Sequence, residues 1–326
     1  MSARRTPLTP EFITQWLNTW PSDGVHVSSH ELMYYRSKVN AFQRFRRLHP
    51  PPGPSGALLS KFKGRGMEFD EFRHYQAGDD IRAIDWRVTA RTGTPHTKLF
   101  REERERPVFV VVDLSDSMQF GSQLLFKSVQ ACHLAASLAW LAVARGDRIG
   151  AVITSQYGHV EIKPQARHHG VMQVIHHLVE QQQLALSGWQ QQHRHQNVFA
   201  QALERLQQIA RPGSIIYLIS DWMSDDPALW RHCLALQRHC QLVPFTISDP
   251  LELALPKVNV NSPLAMTDGE QQVVFDTNNK HQRHAYAHSQ QQRLHATLKQ
   301  WQQLGCSLRL FSTADALENQ WPGELL

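Results

Sequence analysis

The stretch "PVFVVVDLSDSMQFG", residues 107–121, joins an uninterrupted apolar run to a segment rich in side-chain oxygens. Five apolar residues follow Pro107, and such a run is typical of a strand buried on both faces of a parallel sheet. The run ends at Asp113, and Ser115 and Ser117 follow at every second position. In an extended chain this spacing directs all three side chains to one side. The sequence therefore predicts a group of oxygen ligands at the end of a buried strand.

The buried-strand pattern recurs along the chain, and helical segments separate its recurrences. The predicted strands are 108–113, 148–154, 214–221, 242–247 and 307–312, and the predicted helices are 123–145, 170–182, 197–210, 226–239 and 280–303. Strands that alternate with helices predict an α/β fold with an open, doubly wound, mostly parallel sheet. Residues 263–277 are typical of a hairpin around Asp268 and Gly269, and the Gln-rich residues 181–197 predict an exposed connection.

Composition divides the chain into three expected segments. Residues 1–56 form a basic, partly helical N-terminal arm that ends in the Pro/Gly break "HPPPGPSG". Residues 57–106 form a charged segment rich in aromatic residues, which we expect to pack on the main domain, with Phe69, Phe72 and Trp86 as its buried anchors. A docking face for a partner is the alternative interpretation of this segment. Residues 107–326 form the α/β domain. The basic arm could contact an acidic partner, lipid headgroups or nucleic acid, but a solvated charged face is the simpler interpretation because no aromatic stacking platform accompanies the charges.

The composition, 41% hydrophobic with a net charge of +5, is that of a globular protein. No segment reaches the roughly 18 consecutive apolar residues of a membrane span, and "ACHLAASLAWLAVA" at 131–144 suits a buried helix. The N-terminus lacks the apolar core of a secretory signal, and the cysteines are scattered. We therefore expect a cytoplasmic protein, with contact at the inner face of the membrane left open.

A second aspartate, Asp221, closes the predicted strand "SIIYLISD". Because the carboxyl ends of parallel strands meet at one edge of a sheet, we expect Asp113 and Asp221 to emerge there together. Carboxylate and hydroxyl oxygens without a soft ligand suit a hard cation, Mg²⁺ above all. The histidine pairs, such as His232 with His239, or His176 with His177, do not predict a zinc site, because the spans between them are wrong for one ion.

Two levels of resemblance follow from these motifs. Asp-x-Ser-x-Ser after a buried strand, with a second Asp closing a later strand, resembles the metal-ion-dependent adhesion site of von Willebrand factor A domains. The wider text resembles the bacterial family catalogued as domain of unknown function fifty-eight, over roughly residues 30–312. The segments that carry this resemblance are "GRGMEFDEFRHYQAGDDIRAIDWRVTARTG" at 64–93, "VVDLSDSM", "GDRIG", "LISD" and "ISDPLELALP".

The resemblance implies a von Willebrand factor A-like domain with a metal site. Ser115 and Ser117 would bind Mg²⁺, or Mn²⁺ in its place, directly, and Asp113 and Asp221 would act mainly through bound waters. A threonine normally supplies a further ligand, and Asn197 stands at the aligned position. Two simpler interpretations stay open, namely that the two serines cap a helix start and that Asn197 caps the helix 197–210.

The resemblance also implies a partner class. Members of the family are associated with MoxR-type AAA+ ATPases, so we expect a non-enzymatic adaptor that acts with such an ATPase, and with other von Willebrand factor A proteins, in protein assembly or activation. The competing hypotheses are a metal-dependent hydrolase that uses the same edge of the sheet and nucleic-acid binding through the basic arm. No Gly-x-Ser-x-Gly elbow or phosphate-binding Gly-rich loop is present.

Overall fold

The computed structural model describes residues 10–19, 22–42, 67–76, 80–102, 105–188, 198–224, 226–256, 264–267 and 272–321. The chain divides into two compact units, of which the larger comprises residues 1–46 with 107–326 and the smaller comprises residues 47–106. The packing of residues 57–106 on the main domain stays a prediction.

The described strands are β1 (Met67–His74), β2 (His96–Glu102), β3 (Pro107–Asp113), β4 (Arg148–Ser155), β5 (Gly158–Gln165), β6 (Ile215–Ser220), β7 (Gln241–Ser248), β8 (Leu264–Thr267), β9 (Gln272–Phe275) and β10 (Arg309–Ser312). The described helices are α1 (Pro10–Thr19), α2 (Ser29–Phe42), α3 (Trp86–Thr92), α4 (Lys127–Ala144), α5 (Arg167–Ser187), α6 (Val198–Ile209), α7 (Pro227–Gln237), α8 (Pro250–Leu253), α9 (Lys280–Gln303) and α10 (Leu317–Gln320).

A six-stranded sheet lies at the centre of the larger unit, with the strand order β10-β7-β6-β3-β4-β5. Neighbouring strands run parallel except for β5, which pairs antiparallel with β4 at one edge. The direction in which successive strands are added to the sheet reverses at β3, because β4 pairs with one edge of β3 and β6 pairs with the other. The predicted α/β fold with a mostly parallel sheet is confirmed, and the carboxyl ends of β3 and β6 form the crevice where such sheets bind ligands.

Helices cover both faces of this sheet. Val108, Val110 and Val112 of β3 face one apolar cluster, which includes residues of α2, α4 and α5. Phe109 and Val111 face a second cluster, to which α6, α7 and α9 contribute. Because successive residues of a strand point to opposite faces, a strand covered on both sides has to be apolar at every position, and this explains the continuous run after Pro107.

Helix α4 is buried from Lys127 to Ala142, so it has no solvated face over that length. This confirms the buried helix predicted at 131–144. The helix begins four residues later than predicted, because a loop precedes it. Gly121 lies in that loop, and a Cβ atom there would lie 2.2 Å from the carbonyl oxygen of Leu125, a separation that only glycine allows.

The N-terminal helix α2 covers the outer face of α4. Leu32 and Tyr35 are fully buried between the two helices, and the indole N–H of Trp140 donates a hydrogen bond to the Leu32 carbonyl oxygen at 3.1 Å. The buried ring of His133 lies 3.1 Å from the Glu31 carboxylate at one nitrogen and 3.1 Å from the Tyr35 hydroxyl at the other. Helix α2 of the basic arm therefore belongs to the core of the larger unit.

Two parts of the larger unit differ from the expectations. Strand β5 was not predicted, because a doubly wound pattern led us to expect a helix, and not a hairpin, after β4. Helix α5 runs through residues 181–187, where we expected an exposed connection. That expectation is wrong there, because Gln182 is fully buried and its side-chain amide donates to the Val25 carbonyl oxygen at 2.7 Å. Residues 189–197 lie outside the described residues.

The predicted hairpin and the C-terminal elements agree with the structure. Strands β8 and β9 pair antiparallel, although the turn at Asp268 and Gly269 lies outside the described residues. Helix α9 spans the predicted 280–303, and β10 is the predicted last strand. None of the described helices is long and apolar enough to cross a membrane.

The smaller unit pairs β1 with β2 in an antiparallel hairpin, with α3 between them in sequence. Asp85 caps α3 by accepting hydrogen bonds from the backbone N–H groups of Arg87 and Val88. Phe72 and Trp86 are 42% and 67% exposed, so they are not buried within the smaller unit, and their role as anchors on the main domain stays a prediction.

The packing of α2 on α4 generates a stability prediction. We expect Leu32→Ala to lower the free energy of unfolding by roughly 2–5 kcal/mol, because it opens a cavity at a fully buried position. Met33→Ala is the matched control on the same helix, since Met33 is 46% exposed and its truncation should change the value by less than about 0.5 kcal/mol. Urea unfolding measures both. Equal effects of the two variants would contradict the described packing.

Candidate functional site

The first half of the site is the turn that follows β3. Asp113 is the last residue of that strand, and its side chain is 6% exposed. One of its carboxylate oxygens accepts a hydrogen bond from the backbone N–H of Ser115 at 2.9 Å. The chain then enters a 3₁₀ turn at Asp116–Met118 and does not stay extended. The turn still brings the hydroxyl oxygens of Ser115 and Ser117 to 3.4 Å from each other.

Helix capping does not account for these serines. Ser115 precedes the 3₁₀ turn but makes no capping hydrogen bond with its side chain. The long helix α4 begins later in the chain, after Phe126. The Ser117 side chain is exposed, so solvent or a binding partner can reach it.

The second half of the site comes from the end of β6, the strand beside β3. The Ser220 hydroxyl donates a hydrogen bond to the second carboxylate oxygen of Asp113 at 2.7 Å. Asp221 follows, and its side chain is 4% exposed. The structure thus brings together four predicted residues, Asp113, Ser115, Ser117 and Asp221, which we call the rim site. Asn197, the fifth predicted ligand, lies outside the described residues.

Trp222 holds the backbone beyond Asp221 in place. Its φ of 57° is in the left-handed region, which costs a residue with a side chain on the order of 1–3 kcal/mol. Its backbone N–H donates to the Ser220 hydroxyl, and its indole N–H donates to the Phe245 carbonyl oxygen at 3.0 Å. The ring packs against Trp230 and Trp301. These contacts offset the backbone strain and fix the direction of the neighbouring carboxylate.

A lysine that the sequence analysis did not single out completes the charge arrangement. Lys127 is fully buried, and its ammonium group donates to Asp221 at 2.8 Å and to Glu252 at 2.5 Å. A buried charge is tolerated when it is paired and hydrogen-bonded, as this one is. Lys127 therefore joins the rim site to Glu252 beyond the end of β7.

Asp249 fixes the segment that carries Glu252. Its backbone N–H donates to the Glu252 carboxylate, and its own carboxylate accepts from the backbone N–H of Leu251, which together make a capping box at α8. The same carboxylate accepts hydrogen bonds from the hydroxyls of Ser122 and Thr313. The two acidic residues of the motif "ISDPLELALP" are therefore Asp249, which holds this segment in place, and Glu252, which binds Lys127.

The pKa values follow from burial and from these charges. Burial, followed by the negative charge of Asp221, raises the pKa of Asp113 to about 6. Burial also acts to raise the pKa of Asp221, but the Lys127 ammonium outweighs it and the pKa lies below its ordinary value. Burial lowers the pKa of Lys127, and Asp221 and Glu252 more than compensate, so this pKa is raised. The rim site therefore holds a charged pair beside an aspartate that retains its proton unusually well.

The rim site fits a hard cation by its chemistry. Its exposed and half-exposed hydroxyls stand beside two carboxylates, and all of these donors are oxygens. The negative charge of Asp221 acts on Asp113, so two carboxylates lie close together there. Ser115 and Ser117 are the residues that could bind a cation directly.

A cleft adjoins the rim site beside α9. Its lining includes Asp221, Met223 and Glu252 on one side and Gln290 and Arg293 on the other. Arg293 donates to the Met223 carbonyl oxygen at 2.6 Å, which ties α9 to the loop after β6. The surroundings of the rim site thus include polar and charged groups from several elements.

A signal for Lys127 was present in the sequence. It is the only lysine or arginine in the mostly apolar sequence 127–144, which is expected to form a buried helix. A lysine at such a position needs carboxylates nearby, and Glu252 follows a strand end in "ISDPLELALP". What the sequence could not supply is the distance between these two segments.

A separate group of ligand-type side chains lies on α5. The donor atoms of His176, His177 and Glu180 lie within 4.8 Å of one another, and His177 is 3.0 Å from the Glu180 carboxylate. The Glu180 carboxylate brings a third ligand-type group to the histidine pair His176 and His177, which alone does not predict a zinc site. The exposed pairing of His177 with Glu180 explains the arrangement without an ion.

The sequence of the chain is similar to those of known proteins. A sequence model of the family described as "Protein of unknown function DUF58" matches residues 71–296. The "Uncharacterized protein Rv1480" of Mycobacterium tuberculosis (strain ATCC 25618 / H37Rv) is 29% identical over 222 residues, which are 67% of this chain and 66% of that protein. The chain thus spans slightly less than two thirds of the length of this relative.

Among solved structures, "conserved hypothetical protein BatB" from Bacteroides thetaiotaomicron is similar with a TM-score of 0.38 and 12% identity, over 61% of this chain and 98% of that one. An "aerotolerance-related membrane protein" from Bacteroides fragilis NCTC 9343, with multiple mutations to serines, is similar with a TM-score of 0.42 and 12% identity, over 66% of this chain and 95% of that one.

The raised pKa of Asp113 generates a pH prediction. An aspartate that titrates at about 6 when folded and at 3.8 when unfolded binds its proton more tightly in the folded state. Its contribution to stability is full below about pH 4, declines as the pH rises through 6, and is absent above that. Asp113→Asn removes this dependence. We therefore expect the melting temperature of Asp113→Asn, relative to wild type, to increase between pH 4.5 and 8 in the presence of a chelator.

Thermal unfolding over this pH range measures the difference. Asp116→Asn is the control, because it removes a carboxyl group from the same loop and leaves both Asp113 and Asp221 in place. Parallel profiles for wild type and Asp113→Asn would contradict the described environment of Asp113.

Proposed function

The chain belongs to the family described as protein of unknown function DUF58, and on this premise we propose that it is a non-enzymatic interaction protein whose rim site binds a divalent cation and a partner protein. The family description assigns no activity, so the proposal depends on the site. The proposed role is that of an adaptor in the assembly or activation of another protein.

One observation carries this proposal. Two loops that are more than 100 residues apart in sequence bring hydroxyls and carboxylates together at the carboxyl end of the sheet, where the Ser117 side chain is exposed. A parallel sheet binds its ligands at this end. A set of oxygens that is anchored by buried hydrogen bonds and open on one side is suited to a cation that a second protein could also contact.

Mg²⁺, or Mn²⁺ in its place, is the proposed ion. Ser115 and Ser117 would hold it directly, and Asp113 and Asp221 would hold it through waters, in keeping with the resemblance to the metal-ion-dependent adhesion site. Asn197 is the proposed further ligand. The bound ion would supply a positive centre that accepts a carboxylate of the partner.

The proposed partner is a MoxR-type AAA+ ATPase, and other von Willebrand factor A-like proteins are proposed as members of the same assembly. The support is the sequence resemblance over most of the chain, together with the absence of a phosphate-binding Gly-rich loop from the sequence. A protein without its own nucleotide site would depend on its partner for the energy of ATP.

Metal binding should be visible in the stability of the protein. We expect millimolar Mg²⁺ or Mn²⁺ to raise the melting temperature by a few degrees, because a ligand at a hundredfold excess over its Kd stabilises the folded state by about 2.7 kcal/mol. Asp113→Ala and Ser115→Ala should abolish the increase, and Asn197→Thr should enlarge it. Thermal unfolding with and without a chelator measures this. A wild-type melting temperature that ignores both cations would contradict metal binding by the chain alone.

Partner binding should depend on the same residues. We expect the purified chain to bind a purified MoxR-type ATPase from the same genome in Mg²⁺, and we expect Asp113→Ala to weaken that binding at least about tenfold, the effect of losing roughly 1.4 kcal/mol. Biolayer interferometry in Mg²⁺ and in chelator measures the affinity, with the exposed Met33→Ala as the control.

Two results would oppose the proposed role. Equal binding by wild type and Asp113→Ala would remove the rim site from the interface. Turnover of phosphoester or peptide substrates in Mg²⁺ that Asp113→Ala abolishes would favour the hydrolase hypothesis instead.

A further inference from the structure

We propose that Lys127 is a resident cation beside the rim site, which joins the Asp221 carboxylate to Glu252 without a metal and against whose charge a divalent ion has to bind. The inference rests on the proposed function, since it concerns the same site. Lys127 would set how tightly the rim site binds the metal. It would also keep Asp221 in place when no metal is present.

The position of the ammonium group is the first argument. Lys127 is fully buried, and its two assigned acceptors are the carboxylates of Asp221 and Glu252. Asp221 is a member of the rim site, so the ammonium group acts on one of the residues that would hold the metal through water. The cation is therefore part of the electrostatics of the site and not a distant ion pair of the core.

The position on the helix is the second argument. Lys127 is the first residue of α4, and the helix N-terminus carries a partial positive charge that opposes an ammonium group. Burial opposes it as well. Among the described residues, the carboxylates of Asp221 and Glu252 accept hydrogen bonds from this ammonium group and stabilise its charge, so the three groups depend on one another.

The charge balance is the third argument. Asp113, Asp221 and Glu252 supply three carboxylates, whereas Lys127 supplies a single positive charge. With these four groups ionised, two negative charges remain, and the carboxylate of Asp249, which lies in the same hydrogen-bonded segment as Glu252, adds a further one. Without the ammonium group, all three negative charges would attract the metal and no positive charge would repel it. Replacement of Lys127 by an uncharged residue should therefore increase the affinity for the metal.

Glu252 connects this balance to the neighbouring segment. One of its oxygens accepts from Lys127, and the other accepts from the backbone N–H of Asp249. Asp249 in turn receives the hydroxyls of Ser122 and Thr313. Lys127 is thus a positioning residue, which joins Asp221 to the hydrogen-bonded segment that follows β7.

The experiment compares Lys127→Met with wild type in the full-length chain. Thermal unfolding is measured on one sample of each protein in chelator. Mn²⁺ binding to a second sample, folded and free of chelator, is followed by electron paramagnetic resonance. In chelator we expect the melting temperature of Lys127→Met to fall by on the order of 10 °C, because the nearly buried Asp221 carboxylate and the partly buried Glu252 carboxylate lose their cation. We expect its Mn²⁺ Kd to be at least about tenfold lower than that of wild type.

Three further variants separate charge from packing. Lys127→Arg keeps the charge and should keep the wild-type Mn²⁺ affinity. Lys299→Met makes the same replacement at an exposed position of α9 and should change neither measurement. Glu252→Gln removes one negative charge and should weaken Mn²⁺ binding severalfold. This last variant keeps the inference testable if Lys127→Met does not fold.

The outcomes distinguish this inference from the proposed function. Equal or weaker Mn²⁺ binding by Lys127→Met, beside clear binding by wild type, would overturn the inference and leave the metal site standing. Binding by Lys127→Met alone would support the inference and oppose metal binding by the unmodified chain. An absence of Mn²⁺ binding in every variant would overturn both.

Discussion

Burial of helix α4 on all sides is the constraint on which the larger unit depends. A helix without a solvated face cannot leave an ionisable side chain to water, so each such group has to find its partner inside the protein. His133 finds Glu31 and Tyr35 on α2, and Lys127 finds Asp221 and Glu252 at the carboxyl end of the sheet. One helix therefore specifies both where the N-terminal segment packs and how the charges of the rim site are arranged.

The rim site combines a rigid interior with an accessible surface. Asp113 and Asp221 are nearly buried, and both carboxylates are bound by neighbouring groups, whereas Ser117 is exposed. Burial, followed by the negative charge of Asp221, raises the pKa of Asp113 to about 6. The repulsion that would destabilise an isolated pair is reduced by the Lys127 ammonium. Such a site keeps its shape before anything binds, and this reduces the cost of ordering it on binding.

Much of this arrangement could be predicted from local patterns. A continuous apolar run that ends in an aspartate indicates both a buried parallel strand and a residue at its carboxyl end, so Asp113 and Asp221 could be assigned to one edge without coordinates. Strand β5 could not be distinguished from a crossover, because its alternation is short and lies at the edge of the sheet. The partners of Lys127 were missed for a different reason. Glu252 lies 125 residues away in sequence, and no local pattern encodes a pairing over that distance.

The hydrogen bonds of Asp249 have a consequence for the order in which the protein is made. Asp249 holds the loop before α4 through Ser122, and it is itself held by Thr313, which follows β10. A ribosome releases Thr313 after every other member of this group. Strand β3 and helix α4 can therefore form early in translation, but their connecting loop acquires its last support only when β10 has joined the sheet. A chain that stops short of that strand would contain every residue of the rim site and still lack the group that completes its hydrogen bonding.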